Sequence, residues 1–266
     1  MTEKNDGSEM SFWSHLDELR VILIKKGAVV VVAAVALFAF MPWLFDHVIM
    51  APARADFPLY RLFDYLQMGL TDEPAEFSLS LININLSAQL FTHMSLSGWL
   101  ALVVTFPIVI YLLWTFVSPG LYEKERRNAT TAFLFGNAMF YIGVAVGYFL
   151  VFPLTLRFLA TYQLSELIDN TITLESYMDN FTGICLIMGA VFELPLVAWI
   201  MGKMGILHRS FFKKYRRHAI VALLVVAAII TPTGDPFTLF VVFVPIYSLW
   251  ELSAYIVPKD KPDEED

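Results

Sequence analysis

Three acidic positions stand out in an otherwise apolar chain. SFWSHLDELR, residues 11–20, carries His15, Asp17, Glu18 and Arg20 just ahead of the first long apolar run. WTFVSPGLYEKERRNAT, residues 114–130, carries Glu123, Glu125, Arg126 and Arg127 after Pro119 and Gly120. Carboxylates at a membrane edge, where basic residues are the usual flank, are acceptors for cationic groups. Each stretch also has a plainer reading. Phe12, Leu16, Leu19 and Leu23 recur at helical steps, so the first fits an interfacial amphipathic helix with a solvated face. Ser14 followed by Asp17 fits a capping box that only starts that helix. In the second stretch the acids could simply balance their own arginines. The third position is Glu193, in AVFELPLV, inside an apolar run. A carboxylate at that depth costs about 3 kcal/mol unless paired or hydrated, so a functional role is the default hypothesis. The structural alternative is a hydrogen bond to backbone carbonyls freed by Pro195. Two further acids, Asp235 in TPTGDP and Glu251 in LWELS, read as a turn anchor and an interfacial group.

Catalytic patterns do not accompany these acids. The sequence holds no GxxxxGK[ST], HExxH or GxSxG, and its five histidines are scattered. The single cysteine, Cys185, lies in an apolar segment and reads as packing, with no disulfide partner. Neither an enzyme activity nor a cofactor or metal is expected.

The elements that must position these acids are membrane spans. The chain has 266 residues, 58% hydrophobic and 16% charged, with a mean hydropathy of +0.63. A soluble domain carries about 25% charged residues, so this composition specifies an all-α polytopic membrane protein. A span needs about 20 apolar residues. Four candidates run from about 27 to 45, 94 to 116, 132 to 152 and 181 to 201. Two shorter runs, Ala219 to Ile230 and Phe237 to Trp250, are joined by TPTGDP. They would cover only about 18 and 21 Å unless flanking residues complete them. Six crossings with a short final pair are expected, forming one domain over 1–258 with an amphipathic entry helix at 11–24. The tail at 259–266 reads as solvated and disordered. MTEKNDGSEM has no apolar core after a basic start, so no cleaved signal peptide is expected.

With the N-terminus inside, 15 of the 18 lysines and arginines fall on cytoplasmic pieces, which predicts both termini in the cytoplasm. The net charge of −7 argues against nucleic acid. The first outer loop, about 46–93, and the second, about 153–180, are long enough to need structure of their own. LYRLFDYLQMGL and LININLSAQLFTHM suggest short helices or strands in the first, and RFLATYQLSELIDN a helical cap in the second. Pro107, Pro153, Pro195 and Pro245 can each bend a span, giving a curved surface in place of a tight bundle. GVAVG, residues 143–147, is a small-residue face for close helix contact. No internal repeat is visible, which weighs against a transporter.

Read together and in order, five stretches resemble the TatC family, the core integral subunit of the twin-arginine protein translocase. They are SHLDELR, FPIVIYLLWTFVSPGLYEKERR, FYIGVAVGYFLVFP, FELP and TPTGDP, spread over about residues 12–255. The resemblance implies a six-span, glove-like protein of the inner membrane with short fifth and sixth helices. It implies recognition of signal peptides bearing paired arginines, ahead of export of folded cargo. The motif glutamates fall on Glu18 and Glu125 and the loop aromatic on Phe116, with Arg20 and Leu16 beside Glu18 as further signal-peptide contacts. The proline after the first span falls on Pro52, the intramembrane glutamate on Glu193 and the hairpin aspartate on Asp235. Family members often carry a polar amide or acid on the sixth helix where this chain has Leu239, and Thr231 and Thr238 are candidate substitutes for partner docking. The first outer loop looks longer than usual for the family.

An arginine presents a planar fork that fits a carboxylate bidentately, so two adjacent arginines call for two acceptors from separate segments. The resemblance implies single-span TatA and TatB type partners at the last two helices and Glu193, self-association, and energy from the proton-motive force. The alternative is a small proton-coupled solute transporter using Glu193. A membrane enzyme using His15, Asp17 and Glu18 is a third reading without any supporting catalytic spacing.

Overall fold

The computed structural model describes residues 12–66, 79–117, 123–165, 167, 170–231 and 235–257, with side chains described outside 12–26, 63, 64, 66 and 112–133. Helix α1, Phe12–Leu44, runs without interruption through both SHLDELR and the first apolar run. The amphipathic segment at 11–24 is therefore the start of the first span. At 33 residues it is about 50 Å long. Ser14 lies inside its first turn, so it is not the N-cap of a capping box. A wide π turn, Phe45–Ile49, and a 3-10 turn, Ala51–Ala53, close the helix off around Pro52.

The first long loop has structure in its described residues, as its pattern suggests, while 67–78, with the end of LYRLFDYLQMGL, lie outside them. Helix α2 is Pro58–Leu66 and strand β1 is Leu81–Ile82. AQLFTHM is not a separate element but the beginning of helix α3, Ala88–Val117. Helix α4, Glu123–Val146, leads through a π turn at Gly147–Val151 into helix α5, Phe152–Thr161. Pro153 lacks the N–H that would bond the Phe149 carbonyl, and the widened turn absorbs that loss. The expected helical cap at 153–180 is thus in part the continuation of the third span. The rest contains strand β2, Ile172–Thr173, which pairs in parallel with β1 at Leu81↔Ile172 and Ile82↔Thr173.

The fourth span breaks in the same manner. Helix α6, Leu174–Val191, stops at a turn through Phe192 and Glu193, and helix α7, Leu194–Lys203, restarts with Pro195 in its first turn. Pro107 and Pro245, in contrast, lie within unbroken helices. Gly205, at φ 73°, ends α7 in a left-handed conformation. Its N–H bonds the Gly202 carbonyl and the Ile206 N–H bonds that of Met201, the paired closure of a Schellman turn. Helix α8 is Arg209–Lys214, α9 is Arg216–Ile230 and α10 is Pro236–Ile256.

The final pair is unequal. Helix α9 has 15 residues, about 22 Å, because Thr231 precedes Pro232 and turns extended (φ −84°, ψ 112°). Helix α10 reaches 21 residues, about 32 Å, because the segment after Trp250 continues the helix. Among the described residues five helical segments are long and apolar enough to span by length and composition, and α9 makes the short sixth crossing.

The core lies where α4 meets α6, with α10 packed against α7 and α9. A side-chain carbon on Gly143 would stand 2.5 Å from the Met188 carbonyl oxygen, so the two backbones touch. Phe152 packs edge-on against Tyr177 and Phe181, with ring centres 5.2 Å apart in both cases. Helix α1 pairs with α3. There His93 stacks on Phe38 at 3.8 Å, and its Nε2 donates to the Phe38 carbonyl at 2.8 Å.

Three tyrosine hydroxyls fasten the turn after α1. Tyr148 donates to the Val48 carbonyl at 2.7 Å and Tyr177 to Ile49 at 2.6 Å, and the single Tyr60 O–H is shared between the Pro52 and Pro153 carbonyls, each 3.0 Å away. Tyr177 is buried, so Tyr177→Phe leaves the Ile49 carbonyl without its donor. We expect a loss of about 1–3 kcal/mol, read as a lower thermal midpoint of the solubilised protein. The exposed Tyr162→Phe serves as control. A midpoint equal to the parent's would remove the fastening role.

Candidate functional site

The helices run alternately, so their ends sort into two groups. Phe158 stacks on Phe237 at 4.1 Å, and β1 joins β2, which gathers residues 45–66, 79–87, 158–165, 170–173 and 235–237 at one end. The starts of α1 and α4 and the ends of α3, α7 and α10 gather at the other. Both described chain ends lie on this second side, as an even number of crossings requires.

SHLDELR and EKERR therefore share one end. From the Phe38–His93 contact, twenty residues back along α1 reaches Glu18, and twenty forward along α3 reaches residue 113. At equal rise, Glu18 is level with a position one turn before Phe116. Phe116 is the penultimate residue of α3, so the loop aromatic is helical. Glu125 is likewise helical, the third residue of α4. The side chains of Leu16, Glu18, Arg20, Phe116 and Glu125 lie outside the described residues.

Glu193 occupies the turn between α6 and α7. Its Oε1 is buried without a hydrogen-bond partner among the described residues. Its Oε2 lies over Gly136 together with Leu196, where a side-chain carbon would stand 3.1 Å from the oxygen and 2.6 Å from Leu196 Cδ2. Buried Asn137 follows on the same helix. The carboxylate therefore stands at the α4–α7 contact, with one acceptor unused among the described residues.

The hairpin residues are structural. Asp235 caps α10, its Oδ1 accepting from the Thr238 N–H at 2.8 Å. Thr231 is 3% exposed and donates to the Ala227 carbonyl, while Thr238 is 0% exposed. Both hydroxyls are buried, and Leu239 packs partly buried on the core. Pro52 is a joint, its carbonyl held by Tyr60. Glu251 does more than sit at an interface: it accepts from Arg216 at 2.5 Å and Tyr247 at 2.8 Å. Sequence reasoning missed this triad and the tyrosine fastening. A phenol in an apolar run signals that a partner exists, but not where it is.

Six alternating crossings, one of them short, with broken third and fourth spans define an all-helical polytopic membrane protein. Residues 14–245 match the family described as Sec-independent protein translocase protein (TatC). The chain belongs to the TatC family, and is thus a protein-transport component, not an enzyme. It is 32% identical over 260 residues to the TatC of Blattabacterium sp. subsp. Periplaneta americana, covering 95% of this chain and 97% of that one. It is 32% identical over 257 residues to the TatC of Campylobacter jejuni, covering 94% and 97%. Among solved structures it is similar to one described as twin arginine translocase receptor TatC, with a TM-score of 0.70 and 26% identity. That match covers 91% of this chain and 97% of the other. A second structure of that receptor, in DDM, shares the fold at TM-score 0.73 and 24% identity, covering 91% and 99%. Membership places the chain in protein translocation and not in solute carriage.

Proposed function

We propose that this chain is the receptor for twin-arginine signal peptides, with Glu18 and Glu125 accepting the paired guanidinium groups. The observation that carries the reading is the shared end of α1 and α4, with Glu18 level with the last turns of α3 and Glu125 in the first turn of α4. Two segments so related can offer two acceptors to one short peptide. Phe116, Leu16 and Arg20 are its neighbours in the same reading. The receptor name carried by a similar solved structure supports it.

A charge-assisted bond contributes about 1.5–3 kcal/mol, and less at a wet surface. Two of them discriminate between peptides without binding tightly. The signal's apolar stretch adds affinity along the lipid-facing helices. The Lys and Arg bias puts the site and both termini in the cytoplasm, at the inner membrane. Single-span TatA and TatB type subunits are the partners, meeting the last two helices and Glu193, whose Oε1, without a partner among the described residues, suits a polar group on a partner helix. Copies of this chain associate in the assembled complex, and the proton-motive force drives transport.

A photo-crosslinker at position 18 or 125, in membranes containing the partner subunits, is expected to capture signal peptides with an Arg-Arg pair and to capture Lys-Lys variants several-fold less. Lysine keeps the charge but loses the fork. Equal capture of both peptides would rule out paired bidentate acceptance.

A further inference from the structure

The segments at the terminal end differ in one respect that topology does not explain. Residues 1–26 mix four Lys and Arg with five Asp and Glu, residues 118–131 mix three with two, and residues 258–266 mix two with five. Residues 203–218 carry six Lys and Arg and two His, with no Asp or Glu at all. Membrane orientation is set by counting Lys and Arg, and acids contribute little to it. The exclusion of acids from this one segment therefore points to something it must attract.

Its structure arranges the cations. Phe212 is buried against Ala198, Ala254 and Val257 and lies 4.7 Å from Trp250, which anchors short α8 across the ends of α7 and α10. Arg209 stacks on Tyr255 at 5.0 Å and Lys203 on Trp199 at 5.8 Å. These are aromatic groups of the kind that sit at headgroup level. Among the described residues only Arg216 of this segment has a carboxylate partner, Glu251. Lys213, Lys214 and Arg217 are exposed. Arg216 and Arg217 also begin α9, where the helix dipole adds to their positive field in place of offsetting it. Apolar residues follow at once from Ala219, and α9 is about 8 Å shorter than the hydrocarbon layer. Headgroups must approach this end closely for α9 to cross.

We propose that residues 203–218 form a docking surface for the headgroups of anionic phospholipids, with Lys213, Lys214 and Arg217 as the phosphate contacts. The occupant is bilayer lipid because the cations stand at the membrane edge, between aromatic anchors and beside a helix too short for an undeformed bilayer. The inference rests on the membrane fold alone and is independent of signal-peptide recognition.

The test uses the full chain in nanodiscs of phosphatidylcholine mixed with phosphatidylglycerol. The protein is released into mild detergent and its retained lipids are counted by native mass spectrometry. Phosphatidylglycerol is expected in excess over its mixing ratio. Lys213→Gln/Lys214→Gln/Arg217→Gln should lower that preference at least about tenfold, while Lys4→Gln/Lys25→Gln/Lys26→Gln leaves it unchanged and Lys213→Arg/Lys214→Arg retains it. The same preference in the first triple variant, or the same loss in the second, overturns the proposal. Two measurements need no variant in α8. Displacement of the lipid by soluble glycerol phosphate would assign the surface to free anions, and a preference seen only after removing residues 260–266 would assign it to the chain's own acidic end. Either result overturns it, and retention in both supports it.

Discussion

Gly143→Val is expected not to accumulate as folded protein in membranes. The added Cβ alone would stand 2.5 Å from the Met188 carbonyl oxygen and 2.7 Å from Phe192 Cβ. The first neighbour is backbone of α6 and the second is fixed at its own backbone, so neither can swing away. Separating the helices would disturb the neighbouring close approaches too. At Gly147 a Cβ would stand 3.0 Å from Cys185 Cα, and at Gly189 2.7 Å from the Phe140 ring. Overpacking a tight core costs about 1–3 kcal/mol and occasionally more. A backbone neighbour puts this site at or beyond the upper limit, a large share of the stability of a typical domain. Gly183→Val is the matched control, because a Cβ there meets nothing within 4 Å. Membrane abundance and protease resistance of the two variants give the answer. Equal levels would mean that α4 and α6 do not meet at Gly143.

The second large effect concerns recognition. In cells lacking this protein, export of a folded reporter with an Arg-Arg signal should fall about tenfold with Glu18→Ala or Glu125→Ala, since each removes one charge-assisted acceptor. The double variant should fall further, by up to about a hundredfold if the two act independently and by less if they grip as one unit. Glu193→Ala should also reduce export, but with signal-peptide crosslinking retained, because Glu193 lies in a different part of the fold, at the α6–α7 turn. Wild-type export by the double variant would remove both glutamates from the mechanism.

How far the sequence could be read depended on whether a feature's cause is local. SHLDELR shows the amphipathic period of a helix, but nothing in it tells where that helix ends, and it proved continuous with the first span. The breaks at Pro153 and Pro195 were foreseeable from proline's missing N–H, yet Pro107 and Pro245 leave their helices unbroken. The sixth helix reads as short because its apolar run stops at Glu251. That carboxylate is offset by Arg216 and Tyr247, so its charge does not end the helix. For Thr231 and Thr238, residue type suggested partner docking, and burial assigned them to the core.

Composition and periodicity by themselves determined a multi-pass helical membrane protein, approximately where its spans lie, and the sorting of cations to one side. Those properties follow from the transfer of contiguous residues between water and hydrocarbon, so they are written in contiguous stretches. The order of the motifs determined the family. The tertiary structure alone decided which polar groups in the apolar runs are satisfied and which remain open. Tyr60 meets Pro153 across 93 residues, Tyr148 meets Val48 across 100 and Tyr177 meets Ile49 across 128. The Glu193 Oε1, buried against α4, finds no partner among the described residues. A hydrogen bond needs its two atoms within about 3 Å, and only the packing of distant helices brings such atoms together or keeps them apart.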